Sequence, residues 1–315
     1  MVKRFKNILF FADGAIQPGP ALERAVTLAD TNSARLTIID VIDEHDSSPQ
    51  IQSRIGSDLN AILREHRRQT LEELVKPFNR PDTLIYTQVL TGTPFIEIIR
   101  NVISNRHDLV VKAARPPDGV SERLFGSCDM HLMRKCPCPV WIDVPAAALP
   151  YRRILAAVDP VGDTCGECDR LVMDLASSLA ARESAELAVV HAWRVNGESM
   201  LRSGRARIPE AELDRHIEQT RLFHQEGLDK LLAEYNLSTS DPRVHLLKGN
   251  PASRIQNLSK DLKADLVIMG TVGRTGIPGF IIGNTAEEVL QTTSASVLAV
   301  KPAGFISPVT TSKIA

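Results

Sequence analysis

The feature that most constrains this chain is that it repeats itself. Asn7-Ile8-Leu9-Phe10-Phe11-Ala12-Asp13 is answered by Arg153-Ile154-Leu155-Ala156-Ala157-Val158-Asp159, each a polar residue, an apolar run of buried-strand length and a closing Asp. Leu36-Thr37-Ile38-Ile39-Asp40-Val41 is answered by Leu187-Ala188-Val189-Val190-His191-Ala192. Farther on the register is strict. Gly92-Thr93-Pro94 and Gly249-Asn250-Pro251, Asp108-Leu109-Val110-Val111 and Asp265-Leu266-Val267-Ile268, Gly126 and Gly283, and Val140 and Val297 all share one offset of 157 residues. A gap-free offset over that stretch signals duplication, and a chain of 315 residues has room for two units that each bury a core.

Within each copy, short continuous apolar runs alternate with helical periodicity, the pattern of βαβ units around a parallel sheet covered on both faces. Strands are predicted near 7–12, 36–42, 84–90, 108–112 and 139–143, and near 153–158, 187–193, 243–248, 265–269 and 296–300. The fold class is therefore α/β, with two tandem five-stranded parallel-sheet domains of Rossmann-like winding. Long helices are predicted between the second and third strands, with apolar stripes of Ile51, Ile55, Leu59, Ile62, Leu63 and Leu74 in copy one and Leu213, Ile217, Leu228 and Leu231 in copy two. The Pro-rich join Val144-Pro145-Ala146-Ala147-Ala148-Leu149-Pro150 divides the chain into 1–146 and 150–303, leaving a tail at 304–315.

Charge narrows the function. Lys plus Arg number 37 against 38 Asp plus Glu, with no acidic or basic tail, which argues against a dedicated nucleic-acid or membrane-surface binder. The basic start and the apolar Ile8 to Ala12 imitate a signal peptide, but Asp13 ends that run early, and no run reaches the roughly 20 apolar residues of a membrane span. Five cysteines give no disulfide framework, so the expected setting is a reducing cytoplasm.

Ligands of open parallel sheets bind beyond the carboxyl ends of the strands, where strand order reverses. There the fourth strand of copy two runs into Gly270-Thr271-Val272-Gly273-Arg274, a loop through Gly276, Pro278 and Gly279, and Gly283-Asn284-Thr285 opening a helix. Glycines admit phosphate oxygens closely, and a helix start offers unpaired N–H groups and a positive dipole end. Arg274 adds a cation. In the competing reading the glycines only shape turns, and Thr285 with Glu288 forms a capping box.

The repeat, the Asp closing the first strand and the G-x2-G-x9-G loop resemble the universal stress proteins in their tandem form, over essentially the whole chain. The resemblance implies an adenine nucleotide alpha hydrolase-like fold, pairing of domains across their last strands and, in one branch of the family, ATP binding. Carried over, it assigns Gly270, Gly273, Gly283, Asp159 and Ala192 to the nucleotide, with Asn284 replacing the family's Ser or Thr and Thr285 adjacent. In copy one Ala113 and Pro116 replace the first two glycines. Gly126, Ser127, Asp13 and Val41 are weaker nucleotide-binding candidates there, because proline at the second position removes a donor.

Other constellations point elsewhere. Cys165-Gly166-Glu167-Cys168 follows a strand and opens a helix, the context of a redox pair, against which stands the reading of inert surface thiols. Cys128, Cys136 and Cys138 with His131 suggest zinc, but Cys136-Pro137-Cys138 is too close for C-x2-C spacing, and buried small residues before a strand fit better. His191 reads as a core histidine, while His66, His216 and His224 read as parts of solvated helix faces. Arg64, Arg67 and Arg68 are interleaved with Glu65, Glu72 and Glu73. The sequence contains no P-loop, nucleophile elbow or H-E-x-x-H motif. Three functions follow as expectations: an ATP-binding stress-response module with little or no catalysis, paired within the chain and able to form a homodimer; an adaptor of the same fold working through protein contacts; or a thiol redox protein using Cys165 and Cys168. No metal is expected.

Overall fold

The computed structural model describes residues 5–43, 59–80, 83–114, 125–145, 147, 149–161, 166–202, 209–271 and 283–311. Copy one runs β1 (Asn7–Phe11), α1 (Pro20–Asn32), β2 (Arg35–Ile42), α2 (Leu59–Val75) with a 3-10 turn (Lys76–Phe78), β3 (Ile85–Thr91), α3 (Pro94–Asn105), β4 (Leu109–Ala113), α4 (Ser127–Lys135) and β5 (Val140–Asp143). Copy two runs β6 (Arg153–Ala157), α5 (Gly166–Glu183), β7 (Glu186–Trp193), α6 (Glu198–Arg202), α7 (Glu210–Ala233), β8 (Val244–Lys248), α8 (Pro251–Asp261), β9 (Leu266–Gly270), α9 (Asn284–Thr292) and β10 (Ser296–Val300).

The strands form one ten-stranded sheet in the order β3-β2-β1-β4-β5-β10-β9-β6-β7-β8. All pairings inside a copy are parallel, and the copies meet where β5 and β10 pair antiparallel, Val297 opposite Ile142 and Ala299 opposite Val140. The last strands thus lie side by side at a pseudo-two-fold axis, as duplication of a self-pairing unit leads one to expect. Strand order reverses between β1 and β4 and between β6 and β9, so each copy has a switch point at the carboxyl end of its sheet.

The apolar runs are buried on both faces. Ile8, Phe10, Ile38 and Val111 pack on one side, under α1 and α2 in copy one and α5 and α7 in copy two. Leu9, Phe11, Ile39 and Val110 pack on the other, under α3, α4, α8 and α9. Both apolar layers run through both copies, so burial stabilises the seam as it does each unit. Gly92 and Gly249 hold φ of 139° and 140°, a conformation costly for any side chain, and Pro94 and Pro251 open the helices that follow. The predicted stripe on α2 needs one correction: Ile62 is exposed, while Leu71 and Leu74 are buried. Ile51 and Ile55 lie outside the described residues.

At the seam, Asp143 accepts from the hydroxyls of Tyr151 and Ser296, the latter at 2.9 Å. The Arg24 guanidinium lies 3.5 Å above the Tyr151 ring and pairs with Glu183 at 3.1 Å. Helix α1 of copy one, the join and α5 of copy two are thereby tied together. Among the described residues no helix is long and apolar enough to cross a membrane.

Candidate functional site

In copy two, Gly270 ends β9 and Thr271 follows, fully buried. The Thr271 amide donates to Val300 at 3.1 Å and its carbonyl accepts from the Gly283 amide at 2.9 Å, so one residue pins both ends of the glycine loop. Helix α9 starts at Asn284, with Gly283 as its N-cap and no side chain capping it. This corrects the Thr285–Glu288 capping box: the N-cap is Gly283, and Thr285 is already the second helical residue. Gly273 and Arg274 lie outside the described residues.

The nucleoside side of the predicted site is formed by the ends of β6 and β7. Asp159 is about half exposed, and its amide donates to the buried Asp169 at 2.9 Å. Ala192 is half-buried beside His191. His191 is a core histidine: Nδ1 lies 3.0 Å from the Val158 carbonyl and Nε2 lies 2.8 Å from Nδ1 of His224. A carbonyl only accepts, so Nδ1 of His191 carries the proton and, in the neutral ring, Nε2 accepts from His224. His224 is therefore not part of a solvated face; its ring stacks on Trp193 at 5.8 Å. Cys168 is likewise buried rather than on the surface, and a β-carbon added to Gly270 would stand 3.0 Å from its Sγ. Gly270 is glycine at least in part to admit that thiol. Cys165 lies outside the described residues.

One residue the sequence reading missed is Lys301, just beyond β10. It is buried, and its ammonium donates to Thr271 Oγ1 at 2.6 Å and to the Met133 carbonyl at the end of α4 at 2.5 Å. Burial lowers its pKa to about 8, against a small opposing pull from the thiols of Cys136 and Cys168. The signal was available: Lys301 answers Val144 in the repeat.

Copy one brings a different set together. Lys112 in β4 is buried and pairs with Asp13 at 3.1 Å and Asp129 at 3.0 Å. Burial pulls the Lys112 pKa down, but Asp129 and Asp13 outweigh it and hold it above the usual lysine value. Asp129 also accepts the Gly126 amide at 2.9 Å, closing the start of α4. Of the weaker candidates, Asp13 is thus engaged by Lys112, Gly126 is capped from within, Val41 is buried and Ser127 is only the first residue of α4. Lys112 and Asp129 answer Met269 and Ala286, so this bridge has no counterpart in copy two. Pro116 lies outside the described residues. Arg67 reaches from α2 to Asp40 at 3.4 Å, where copy two has His224 and His191. Cys136 and Cys138 are buried with their sulfurs 3.6 Å apart, as small residues before a strand. Among the described residues no group of three or more His, Cys, Asp or Glu is gathered to hold a metal.

Two doubly wound sheets, fused through their last strands and each presenting a strand-to-helix turn at its switch point, define a tandem α/β protein built on a nucleotide-type fold. The chain belongs to the universal stress protein family, whose profile matches residues 4–145 and 150–301. It is similar to universal stress protein E of Escherichia coli strain K12, 29% identical over 97% of this chain and 96% of the relative. Its homolog in Haemophilus influenzae is 26% identical over 95% of this chain and 98% of the relative. Among solved structures, a functionally unknown protein from Pseudomonas aeruginosa PAO1 superposes with a TM-score of 0.67 at 25% identity, covering 95% of this chain and 94% of the other. A universal stress protein from Archaeoglobus fulgidus DSM 4304 shares the fold, with a TM-score of 0.57 at 16% identity over 94% and 98% of the two chains.

Proposed function

We propose that this protein is a nucleotide-responsive stress-response module that binds ATP in copy two, at one site per chain, and performs little or no chemistry on it. The supporting observation is the contrast at the two helix starts: the Gly283 amide before α9 is held by the neutral Thr271 carbonyl at 2.9 Å, with no carboxylate on the N-cap amide among the described residues, whereas the Gly126 amide before α4 is held by the Asp129 carboxylate at 2.9 Å. In this reading the phosphates sit at Gly270, Gly283, Asn284 and Thr285, with Gly273 and Arg274 expected from the sequence to join them. The nucleoside rests against Asp159 and Ala192. Copy one contributes the pseudo-dimer partner and no ligand, within domains 1–146 and 150–303, in the cytoplasm.

Calorimetric titration of ATP tests this. One ATP per chain is expected. Replacing Gly283 with Val abolishes binding by filling the cradle, whereas Gly126→Val changes it little, since a β-carbon there meets nothing closer than Asp129 at 3.8 Å. Asn284→Ser holds or raises the affinity. A stoichiometry of two, or indifference to Gly283→Val, would transfer the protein to the adaptor reading.

A further inference from the structure

A buried ammonium ion is costly unless something negative answers it. Among the described residues two lysines are buried at the carboxyl edge of the sheet. Lys112 is answered by Asp13 and Asp129. Lys301 is 5% exposed, and among the described residues no carboxylate pairs with it. Its partners are a hydroxyl, the carbonyls of Met133 and Arg134, and the face of Phe305, whose centroid is 4.8 Å away.

The groups around it are soon named. The thiols of Cys136 and Cys168 face it from the end of α4 and from α5. The Arg134 guanidinium is turned to Glu287 of α9 at 2.5 Å, and Phe305 comes from the tail. The carbonyl end of α4 supplies about half an elementary negative charge, so capping α4 is the modest role open to Lys301. Among the described residues its charge thus has no carboxylate to answer it beside Thr271, the residue that pins both ends of the glycine loop.

We propose that Lys301 is a specificity-determining cation of the copy-two site, holding the base of the glycine loop through Thr271 and selecting ligands that carry a phosphate chain over those that carry only a nucleoside. This rests on the nucleotide reading above. Such a cation acts at a distance: in the low-dielectric interior its field on a nearby polyanion changes affinity by about tenfold or more. The amine is also poised to report the ligand. An anion binds the ammonium form better, so binding draws a proton onto Lys301, and affinity declines as pH rises through about 8, where the amine discharges. Copy one has Val144 at the matching place and cannot act this way.

The test is titration of the full chain with ATP, adenosine and pyrophosphate between about pH 6.5 and 9.5, as wild type, Lys301→Met and Lys301→Arg. At neutral pH, Lys301→Met should weaken ATP and pyrophosphate about tenfold or more and adenosine less than about twofold, and Lys301→Arg should stay within a few-fold of wild type. Wild-type ATP affinity should fall above pH 8 and that of Lys301→Met should not. Unchanged ATP affinity in Lys301→Met overturns the proposal and leaves the nucleotide reading standing. Equal losses for ATP and adenosine also overturn it, leaving Lys301 as a cap of α4. Pyrophosphate binding that depends on Lys301, in a chain indifferent to ATP and adenosine, overturns the nucleotide reading and keeps this one; indifference to all three ligands overturns both. Should Lys301→Met not fold, the Lys301 amine is titrated by NMR in the wild-type chain with and without pyrophosphate. A midpoint that moves up supports the proposal, and an unmoved one overturns it.

Discussion

Among the described residues, copy one and copy two each bury one lysine at the carboxyl edge of the sheet, and the two are treated oppositely. In copy one Lys112 is locked between Asp13 and Asp129, and the same Asp129 closes the helix start. In copy two Met269 and Ala286 take those places, no side chain caps the helix start among the described residues, and the buried cation is Lys301, just past the last strand. The strand topology does not distinguish the copies, and the matching Gly92 and Gly249 hold φ of 139° and 140°. Duplication therefore kept the topology and redistributed charge at the two switch points.

The sharpest way to break this comparison is to unlock copy one. Lys112→Met should cost about 3–5 kcal/mol by leaving Asp129 buried without its cation. Adding Asp129→Ala, which completes the copy-two pair, should recover most of that loss in urea denaturation. Additive losses would show that the bridge is not the unit assumed here.

Next in size is the pH response of copy two. A folded amine that discharges near pH 8 against an unfolded one near the ordinary value of about 10.4 means that the unfolded chain binds more protons between those limits. Stability attributable to Lys301 should thus be lowest below pH 8 and rise toward about 10.4, by at most about 1.4 kcal/mol per pH unit. Lys301→Met should lose this slope; an identical slope in both chains would mean that Lys301 is charged and well answered. A smaller effect concerns Gly270. Gly270→Ala should cost about 1–2 kcal/mol by crowding Cys168 Sγ, and little in a Cys168→Ala background. If ATP affinity still falls in that background, the glycine serves phosphate as well as packing. Cys168→Ser alone should cost about 1 kcal/mol at a buried thiol and leave ATP binding intact.

The architecture was legible in the sequence because strands buried on both faces must be continuously apolar, and because the 157-residue offset marks matching backbone turns such as Gly92 and Gly249. Strand limits agree within about a residue or two. The site was less legible. Lys112 closes an apolar run and reads as a strand end; only its proximity to Asp129, which the fold brings over from α4, reveals a bridge. His224 sits among helix charges, and nothing local says that it turns inward to His191. Ile62 looks like part of a core stripe but faces water, since α2 rests on Leu71 and Leu74. In each case the deciding partner lies far away along the chain, and periodicity carries no information about it.

The antiparallel joint between β5 and β10 has a consequence for signalling. A symmetric dimer with two equal sites passes through half-filled states, and its response can be steepened or blunted by coupling between them. On the proposed one-site reading, the fused pair has only an empty and a filled form. Its dose-response curve should be a simple hyperbola with a Hill coefficient of one, so the protein would report ligand concentration in proportion rather than as a threshold.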